Sequence, residues 1–337
     1  MDTNFKSIAE FLTCFKDENA CRKYFESIRF KDGDFCPHCG HNKIFRFSDG
    51  KRYRCDRCKK DFTIKTGTLF GESKLPLQKW FIAIYLLTTS KKGISSIELS
   101  EQCGVSQKTA WFMDHRIREA MKQNDGKLFG TVEVDETYIG GKHNRSHGFG
   151  KKIPVMGMTE RNGQTRVFQI ESRQTHIVFN QIKKNIDPRA FIMTDEASVY
   201  KKLPKLGYSR GGVKHSQKQW VKGEIHTNSI ESFWALFKRG YHGTYHSMSK
   251  KHIQRYINEF AFRFNVRMME MGEKFTAIVQ QISKSGNLSY VGLIEKEMPQ
   301  NLSEINYENK KGQTIEKTRA GASNLQSGSW CYRALKV

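Results

Sequence analysis

Two matched pairs of cysteines near the start of the chain set the strongest constraint on its fold. Cys36 and Cys39 form the first pair and Cys55 and Cys58 the second, in the spacing C-x2-C-x15-C-x2-C. This spacing is typical of a zinc ribbon, in which four thiolates hold one structural Zn²⁺ tetrahedrally. Residues 43–54 between the pairs alternate like a β-hairpin, which suits that fold. Disulfide bonds or a redox CxxC pair are the alternatives, but an intracellular chain disfavours the first and two matched pairs disfavour the second.

The chain carries a large excess of positive charge, which points to a polyanionic partner. It has 57 Lys and Arg against 34 Asp and Glu in 337 residues, a net charge of +23 and an isoelectric point near 9.7. Nucleic acid is the simplest partner for such a chain. Within the ribbon, Arg52 and Arg54 are candidates for contacts with DNA. No stretch reaches the roughly 18 continuous apolar residues of a membrane span, and the first residues do not resemble a secretory signal. We therefore expect a cytoplasmic, DNA-associated protein with no membrane partner.

Changes in hydrophobic periodicity divide the chain into five predicted segments. They are a helical lead-in at 1–30, the zinc ribbon at 31–72, a helical block at 76–122, a catalytic domain at 128–270, and residues 271–337, with one helix followed by a polar, mobile tail.

The helical block has the pattern of a helix-turn-helix. Ser95 is placed to cap a short helix, Gly104 lies in a tight turn, and Ser106 is placed to cap the next helix. In a helix-turn-helix the second helix reads the DNA major groove. The DNA contacts expected from this helix are Lys108, Arg116 and Arg118.

The segment at 128–270 is predicted to be an α/β domain with a ribonuclease-H-like order of elements. Three antiparallel strands are followed by a helix, a strand, a short helix, a last strand and further helices. Asp135 falls on the first strand, Asp195 just after the fourth strand, and Glu231 on a late helix. Three acids brought together in this way can hold two Mg²⁺ or Mn²⁺ ions for in-line phosphoryl displacement.

The acids have neighbours whose roles the pattern leaves open. Asn228 and Glu231 could instead be the N-cap and third residue of a helix capping box. Glu133 shares a strand face with Asp135 and is a candidate spare ligand, whereas Glu136 points away and is expected to support the site or lie on the surface. Trp234 is expected to belong to the core.

Three segments of this domain resemble the transposases of the ISXO2-like, IS1595-type insertion sequences. They are Val132–Gly141, with Val-Asp-Glu-Thr-Tyr-Ile-Gly-Gly, Met193–Tyr200, with Thr-Asp-Glu, and His226–Tyr245, with His-Thr-Asn-Ser-Ile-Glu-Ser-Phe-Trp. With the ribbon and the helical block, the resemblance covers roughly residues 5–270. It implies metal-dependent DNA strand cleavage and strand transfer at the ends of an insertion sequence.

The resemblance also implies that the third catalytic residue is Asn or Glu, because related enzymes have one or the other at that position. Asn228 and Glu231 are both available, and Glu231 ranks first because a neutral amide oxygen holds a hard dication more weakly than a carboxylate does. Lys238 lies two turns beyond Glu231 on the same helix face, where it can contact a DNA phosphate, and Arg239 follows it.

The predicted partners are double-stranded DNA, as terminal inverted repeats and as target, and further copies of the chain in a dimer or larger assembly. Two other functions remain open from the sequence. One is a nuclease or resolvase of the same fold, which would cut without joining. The other is a catalytically silent DNA-binding regulator, which the full set of acids argues against.

Overall fold

The computed structural model describes residues 4–123, 126–140, 152–212 and 226–294. The predicted polar tail lies outside those residues. The described part of the chain is built around two β-sheets, one antiparallel and one mixed. The smaller sheet is antiparallel, in the order β1-β2-β3, with β1 at Ile44–Arg46, β2 at Arg52–Cys55 and β3 at Asp61–Thr63. The predicted hairpin is therefore present, and a third strand that the sequence did not indicate extends it.

The larger sheet has five strands in the order β6-β5-β4-β7-β8. Strand β5 pairs antiparallel with both β4 and β6, whereas β4, β7 and β8 run parallel. The strands are β4 (Thr131–Ile139), β5 (Ile153–Glu160), β6 (Thr165–Gln169), β7 (Phe191–Thr194) and β8 (Ser209–Gly212).

Ten α-helices surround the two sheets in the described part of the chain. They are α1 (Ile8–Cys14), α2 (Glu18–Arg29), α3 (Leu77–Thr89), α4 (Ser96–Cys103), α5 (Gln107–Ala120), α6 (Thr175–Asn185), α7 (Asn228–Gly240), α8 (Ile253–Asn265), α9 (Met271–Lys284) and α10 (Tyr290–Ile294). A 3-10 helix covers Ser198–Leu206, and a π-helical turn, Tyr241–Tyr245, continues α7. None of these helices is both long enough and apolar enough to span a bilayer.

The two faces of the larger sheet bury different partners because successive strand residues point to opposite sides. Val132 and Val134 pack in one cluster with α6 and the 3-10 helix. Val155 and Val167 pack in another cluster with α7 and α8. Asp135, one residue beyond Val134, therefore points toward α7, and this orientation places the candidate site on that side.

Helices α4 and α5 begin at the caps that the sequence predicted. The hydroxyl of Ser95 accepts the Glu98 backbone N–H at 3.1 Å, and that of Ser106 accepts the Thr109 N–H at 3.2 Å. Gly104 closes α4 in the left-handed conformation, with φ of 58°, which a residue with a Cβ adopts only with strain.

A single aromatic core joins elements that are far apart in the sequence. Phe11 of α1, Tyr24 of α2 and Phe81 of α3 all pack near Phe275 of α9, with ring centroids 5.2–6.0 Å apart. The same core includes residues of the small sheet, such as Tyr53. The helical lead-in, the ribbon, the helical block and the helix after residue 270 thus share one interior.

A buried ionic cluster links α5 to α8. Arg118 Nε donates to Glu259 Oε2 at 2.6 Å, and Arg263 also pairs with Glu259. The Tyr245 hydroxyl donates to the same carboxylate at 2.8 Å, and the Arg118 guanidinium lies 4.2 Å from the ring centroid of Tyr256. Removal of one partner would leave the others buried with unpaired charge, so this cluster fixes the two helices against each other.

Candidate functional site

The four cysteines of the ribbon come together as the spacing predicted. Their sulfur atoms all lie within 4.8 Å of one another. Cys36 and Cys58 Sγ are 3.7 Å apart, and Cys39 and Cys55 Sγ are 3.6 Å apart. Zn–S bonds of ~2.3 Å in a tetrahedron require sulfur atoms ~3.8 Å apart, whereas a disulfide requires ~2.05 Å. The cluster therefore fits one Zn²⁺ ion and excludes disulfides among these residues.

Each cysteine pair sits on a tight backbone turn that presents its sulfurs to the centre. The Gly40 N–H donates to the Cys36 carbonyl at 2.8 Å, and the Lys59 N–H donates to the Cys55 carbonyl at 3.1 Å. Gly40 and Lys59 both have positive φ, of 72° and 54°. The Cys58 N–H also points to Cys55 Sγ at 3.5 Å, and such contacts stabilise the thiolate that a metal requires.

The three predicted catalytic acids line one cavity of about 480 Å³. Asp135 comes from the middle of β4, Asp195 follows the end of the adjacent parallel strand β7, and Glu231 comes from the first turns of α7. Lys238 lines the same cavity two turns further along α7. Asp135 and Lys238 are 103 positions apart in the chain, and they converge because β4 and β7 are neighbours and α7 packs against β4 and β5. They share the cavity with Glu136, Thr137, Thr227, Trp234 and Ala235.

The Asp135 carboxylate accepts a hydrogen bond from a residue of α7 and lies close to two other acids. The indole N–H of Trp234 donates to Asp135 Oδ2 at 3.0 Å. Burial, together with the negative charges of Glu136 and Asp195, raises the pKa of Asp135 to about 6. The residue opposite Asp135 on β5 is Gly157, where an added Cβ would lie 2.8 Å from Trp234 Cζ2. The missing side chain there gives the indole room to reach the carboxylate.

Glu136 lies nearer to the site than the sequence suggested. It lines the acidic cavity, and its carboxylate is buried between two donors. Arg173 Nη2 donates to Glu136 at 2.7 Å, and the hydroxyl of Tyr200 donates to its other oxygen. Among the residues that the structure describes, no guanidinium pairs with the Asp195 carboxylate, which accepts the Ala197 backbone N–H at 2.9 Å. The two neighbouring acids therefore differ, with Glu136 charge-compensated and Asp195 open toward the cavity.

The capping-box alternative for Asn228 and Glu231 is wrong in this structure. Helix α7 has Thr227 as its N-cap, so Glu231 is its fourth residue rather than its third. The Thr227 hydroxyl donates to Glu231 Oε1 at 2.7 Å and orients that carboxylate beside the cavity. Asn228 is exposed and is not among the residues that line the cavity.

Glu133 occupies the position that a helix cap would otherwise fill. Its fully buried carboxylate accepts the Ser229 N–H at 2.8 Å, the Ile230 N–H at 3.1 Å and the Ser229 hydroxyl at 3.1 Å. Arg161 Nε and His226 Nδ1 lie 3.3 Å and 3.4 Å from Glu133 Oε1, while both backbone N–H groups point to Oε2. Glu133 therefore anchors the start of α7 to β4, and it does not line the acidic cavity as the predicted spare ligand would.

The predicted DNA contacts divide into exposed and buried groups. Arg116 and Arg118 are only 2% and 1% exposed. Arg116 donates to the carbonyls of Leu69 and Gly71 at 2.9 Å, and Arg118 belongs to the ionic cluster with Glu259. A side chain without access to water cannot touch DNA in this conformation, so both predictions are wrong here. The contacts that remain exposed are Arg52, Arg54, Lys108, Lys238 and Arg239.

The acids are spread more widely than the cysteines. Among the described residues, only the cysteine cluster brings three or more His, Cys, Asp or Glu ligand atoms within 4.8 Å of one another. Asp135, Asp195 and Glu231 therefore surround an opening instead of packing on one point.

Comparison with known proteins identifies two domains of the chain. Residues 127–265 match the ISXO2-like transposase domain, and residues 16–61 match the transposase zinc-ribbon domain of the same group. The chain therefore contains an ISXO2-like transposase domain and the transposase zinc ribbon of the same group. The first match spans the acidic cavity and the second spans all four cysteines, so both sites of this transposase lie in family domains.

Two further similarities add detail. A protein of the transposable element ISH50 from Halobacterium salinarum is 26% identical over 274 residues, which are 75% of this chain and 92% of that relative. The structure of a pre-cleavage Mos1 transpososome aligns over 58% of this chain and 77% of that one, with 15% identity and a TM-score of 0.25. A likeness that weak carries no argument about this transposase.

Several residues of the site gave no recognisable signal in the sequence. Trp234 looked like a core residue because it lies on the apolar stripe of α7, and it is indeed 4% exposed. Trp234 donates a hydrogen bond to Asp135, Arg173 and Tyr200 both donate to Glu136, and Glu133 anchors α7. All of these roles depend on contacts between distant elements. The spacing of residues along one strand or helix does not encode such contacts.

Proposed function

We propose that this transposase cleaves DNA strands at the ends of its insertion sequence and joins them to target DNA, with Asp135, Asp195 and Glu231 as its catalytic acids. The observation that carries the proposal is their convergence, with Lys238, on one open cavity. Acids from two adjacent parallel strands and a crossing helix suit phosphoryl transfer, because the reaction needs carboxylates around a phosphate and room for two DNA strands.

The order of the larger sheet supports a ribonuclease-H-like catalytic domain. The three antiparallel strands come first in the chain, and β7 and β8 then add in parallel on the other side of β4. This is the order expected from the sequence, with the first acid on the first strand and the second acid after the fourth.

The residues present fit a pair of divalent ions. Carboxylate oxygens are the ligands that Mg²⁺ and Mn²⁺ prefer. Burial and the negative charges of Glu136 and Asp195 raise the pKa of Asp135 to about 6, so a bound cation would relieve the repulsion between these acids. A two-ion site separates its ions by ~3.5–4 Å, so acids spread around an opening suit it better than one tight cluster. When bound, the ions would activate the attacking hydroxyl and stabilise the leaving oxygen.

The chain's own groups prepare this site. Trp234 holds the carboxylate of Asp135, and Thr227 holds that of Glu231. Lys238, exposed on the same face of α7, is placed to bind the phosphate on which the acids act. Asn228 is the competing third residue, but Glu231 is favoured because only Glu231 lines the cavity.

We also propose that α4, the turn at Gly104 and α5 form the DNA-reading helix-turn-helix. Recognition helices contact bases mainly through their N-terminal residues. In α5 only Gln107 and Lys108 of the first turn are fully exposed, whereas the later residues are buried or partly buried. The expected partners are the terminal repeats and target DNA, bound by two or more copies of the chain.

The test compares four variants of the full-length protein on duplexes carrying the element's ends, in Mg²⁺, with circular dichroism to confirm folding. Asp135→Ala and Asp195→Ala should abolish cleavage and joining yet retain binding to the end duplex. Glu231→Gln should be inactive and Asn228→Ala active. An active Glu231→Gln protein beside an inactive Asn228→Ala protein would make Asn228 the third catalytic residue. Cleavage without any joined product would favour a nuclease instead.

A further inference from the structure

A second cavity, of about 560 Å³, lies beside α7 and is lined by cations. Five of its lining residues are Lys or Arg, and none is Asp or Glu. They come from the loop after α3, from α7, from the end of α8 with the segment after it, and from α9. We call this feature the cationic groove, formed by Lys91, Arg239, Arg263, Arg267 and Lys274.

The cationic groove and the acidic cavity occupy neighbouring faces of the same helix. Glu231 and Lys238 of α7 line the acidic cavity, whereas Ser232 and Arg239 line the groove. Consecutive helix residues are rotated by ~100° about the axis, so the groove begins about a quarter turn from the acids. A DNA strand whose phosphate sits at the acids can therefore continue across α7 into the groove.

Arg263 shows that the cations of the groove are not all satisfied by the protein. This side chain is only 6% exposed. Its Nη1 donates to Glu259 and, at 3.3 Å, to the Leu87 carbonyl. Its Nε and Nη2 have no hydrogen-bond partner among the described residues. Both nitrogens are buried, so a phosphate does not touch them in this conformation. Arg263 therefore adds its positive charge to the wall of the groove, and the exposed cations provide the direct contacts.

Two other cations are held in place before any ligand arrives. Arg267 Nη1 donates to the Phe264 carbonyl at 2.6 Å, and its guanidinium lies 4.3 Å from the Phe264 ring centroid. Lys274 Nζ donates to the Arg267 carbonyl at 3.4 Å. Restricting these side chains reduces the entropy that they would lose on binding an anion.

We propose that the cationic groove binds the phosphodiester backbone of DNA next to the strand that occupies the acidic cavity. Its charges are spread over four segments of the chain, which suits a row of phosphates better than a single small anion. The proposal rests on the proposed DNA function for its ligand, and it assigns a surface that the catalytic acids do not include.

The experiment uses the zinc-loaded full-length protein and a fluorescent duplex, with binding measured by anisotropy over a series of salt concentrations. The groove variant combines Lys91→Gln, Arg239→Gln and Arg267→Gln, because all three side chains are exposed and their loss should not disturb the core. The matched control removes three exposed charges from the 3-10 helix on the other side of the sheet, by Lys201→Gln, Lys202→Gln and Lys205→Gln.

Each lost phosphate contact should lower the slope of log Kobs against log salt by about 0.9, so the groove variant should lose about 2–3 in slope while the control stays near the unmodified protein. Equal slopes in the two variants would overturn the proposal. The catalytic proposal is tested separately with Asp135→Ala. If that variant loses cleavage and the groove variant binds like the control, only the groove fails. If Asp135→Ala still cleaves and the groove variant loses slope, only the catalytic assignment fails.

Discussion

Replacing Glu133 with alanine should loosen the helix that carries Glu231 without touching the acidic cavity itself. The carboxylate of Glu133 accepts two backbone N–H groups at the start of α7, from Ser229 and Ile230, and it is fully buried. Helix N-termini leave several N–H groups without intrahelical partners. Here a side chain from β4 satisfies two of them, so helix and strand are tied at one point.

The expected cost follows from these contacts. Each buried N–H left without an acceptor costs about 1–3 kcal/mol, and the positive end of the helix dipole loses a negative partner worth about 0.3–2 kcal/mol. Glu133→Ala should therefore destabilise α7 locally by about 2–8 kcal/mol. Glu133→Gln keeps the shape and one carbonyl oxygen for both N–H groups, so its cost should be nearer 1–2 kcal/mol.

Hydrogen exchange followed by mass spectrometry measures this directly in peptides that cover α7. A loss of about 3 kcal/mol raises the exchange rate on the order of a hundredfold where exchange requires opening of the helix. Glu133→Ala should show that increase, Glu133→Gln a much smaller one, and peptides of α3 none. If α7 in Glu133→Ala exchanges as slowly as in the unmodified protein, Glu133 does not anchor the helix.

Three further changes test other parts of the structure. Cys55→Ser should lower the zinc content well below one ion per chain and unfold the ribbon locally, because the metal supplies its folding energy; stoichiometric zinc by atomic absorption would contradict this. Without added metal, the raised pKa of Asp135, about 6 against a usual 3.8, means that the folded state binds the proton more tightly, so stability falls as pH rises from about 4 to about 6. Asp135→Asn removes this loss and should stabilise the protein by up to about 3 kcal/mol at pH 7.5 but by only about 1 kcal/mol at pH 4.5; an equal gain at both values would refute the assignment. Arg118→Ala should cost about 3–5 kcal/mol in urea unfolding because buried Asp114 and Glu259 lose the cation that they share, whereas Lys108→Ala should cost less than about 1 kcal/mol.

Local signals predicted most of the regular structure. The caps at Ser95 and Ser106 and the left-handed Gly104 were placed correctly, because capping and positive φ depend on residue types a few positions apart. The strand that carries Asp135 and the cysteine cluster were predicted for the same reason, since strand alternation and metal-ligand spacing are written in short stretches of sequence.

Burial on α5 could not be predicted in this way. Arg116 and Arg118 follow a helical pattern in which charged residues are expected to face solvent. In the structure α8 and α9 cover that face, and carbonyl groups and Glu259 satisfy the guanidinium groups. Helices α8 and α9 lie more than a hundred residues later in the chain, so the periodicity of residues within α5 cannot indicate that they pack against it.

The sequence by itself determined the four cysteines of the ribbon, the order of the strands in the larger sheet, and the three acids that line one cavity, because each depends on residue type and local spacing. Only the tertiary structure decided which groups adjust those acids. Trp234 reaches Asp135, Glu133 anchors the helix of Glu231, and one aromatic core joins α1 to α9. These are contacts between distant segments, and their geometry is set by how the sheet and helices pack together.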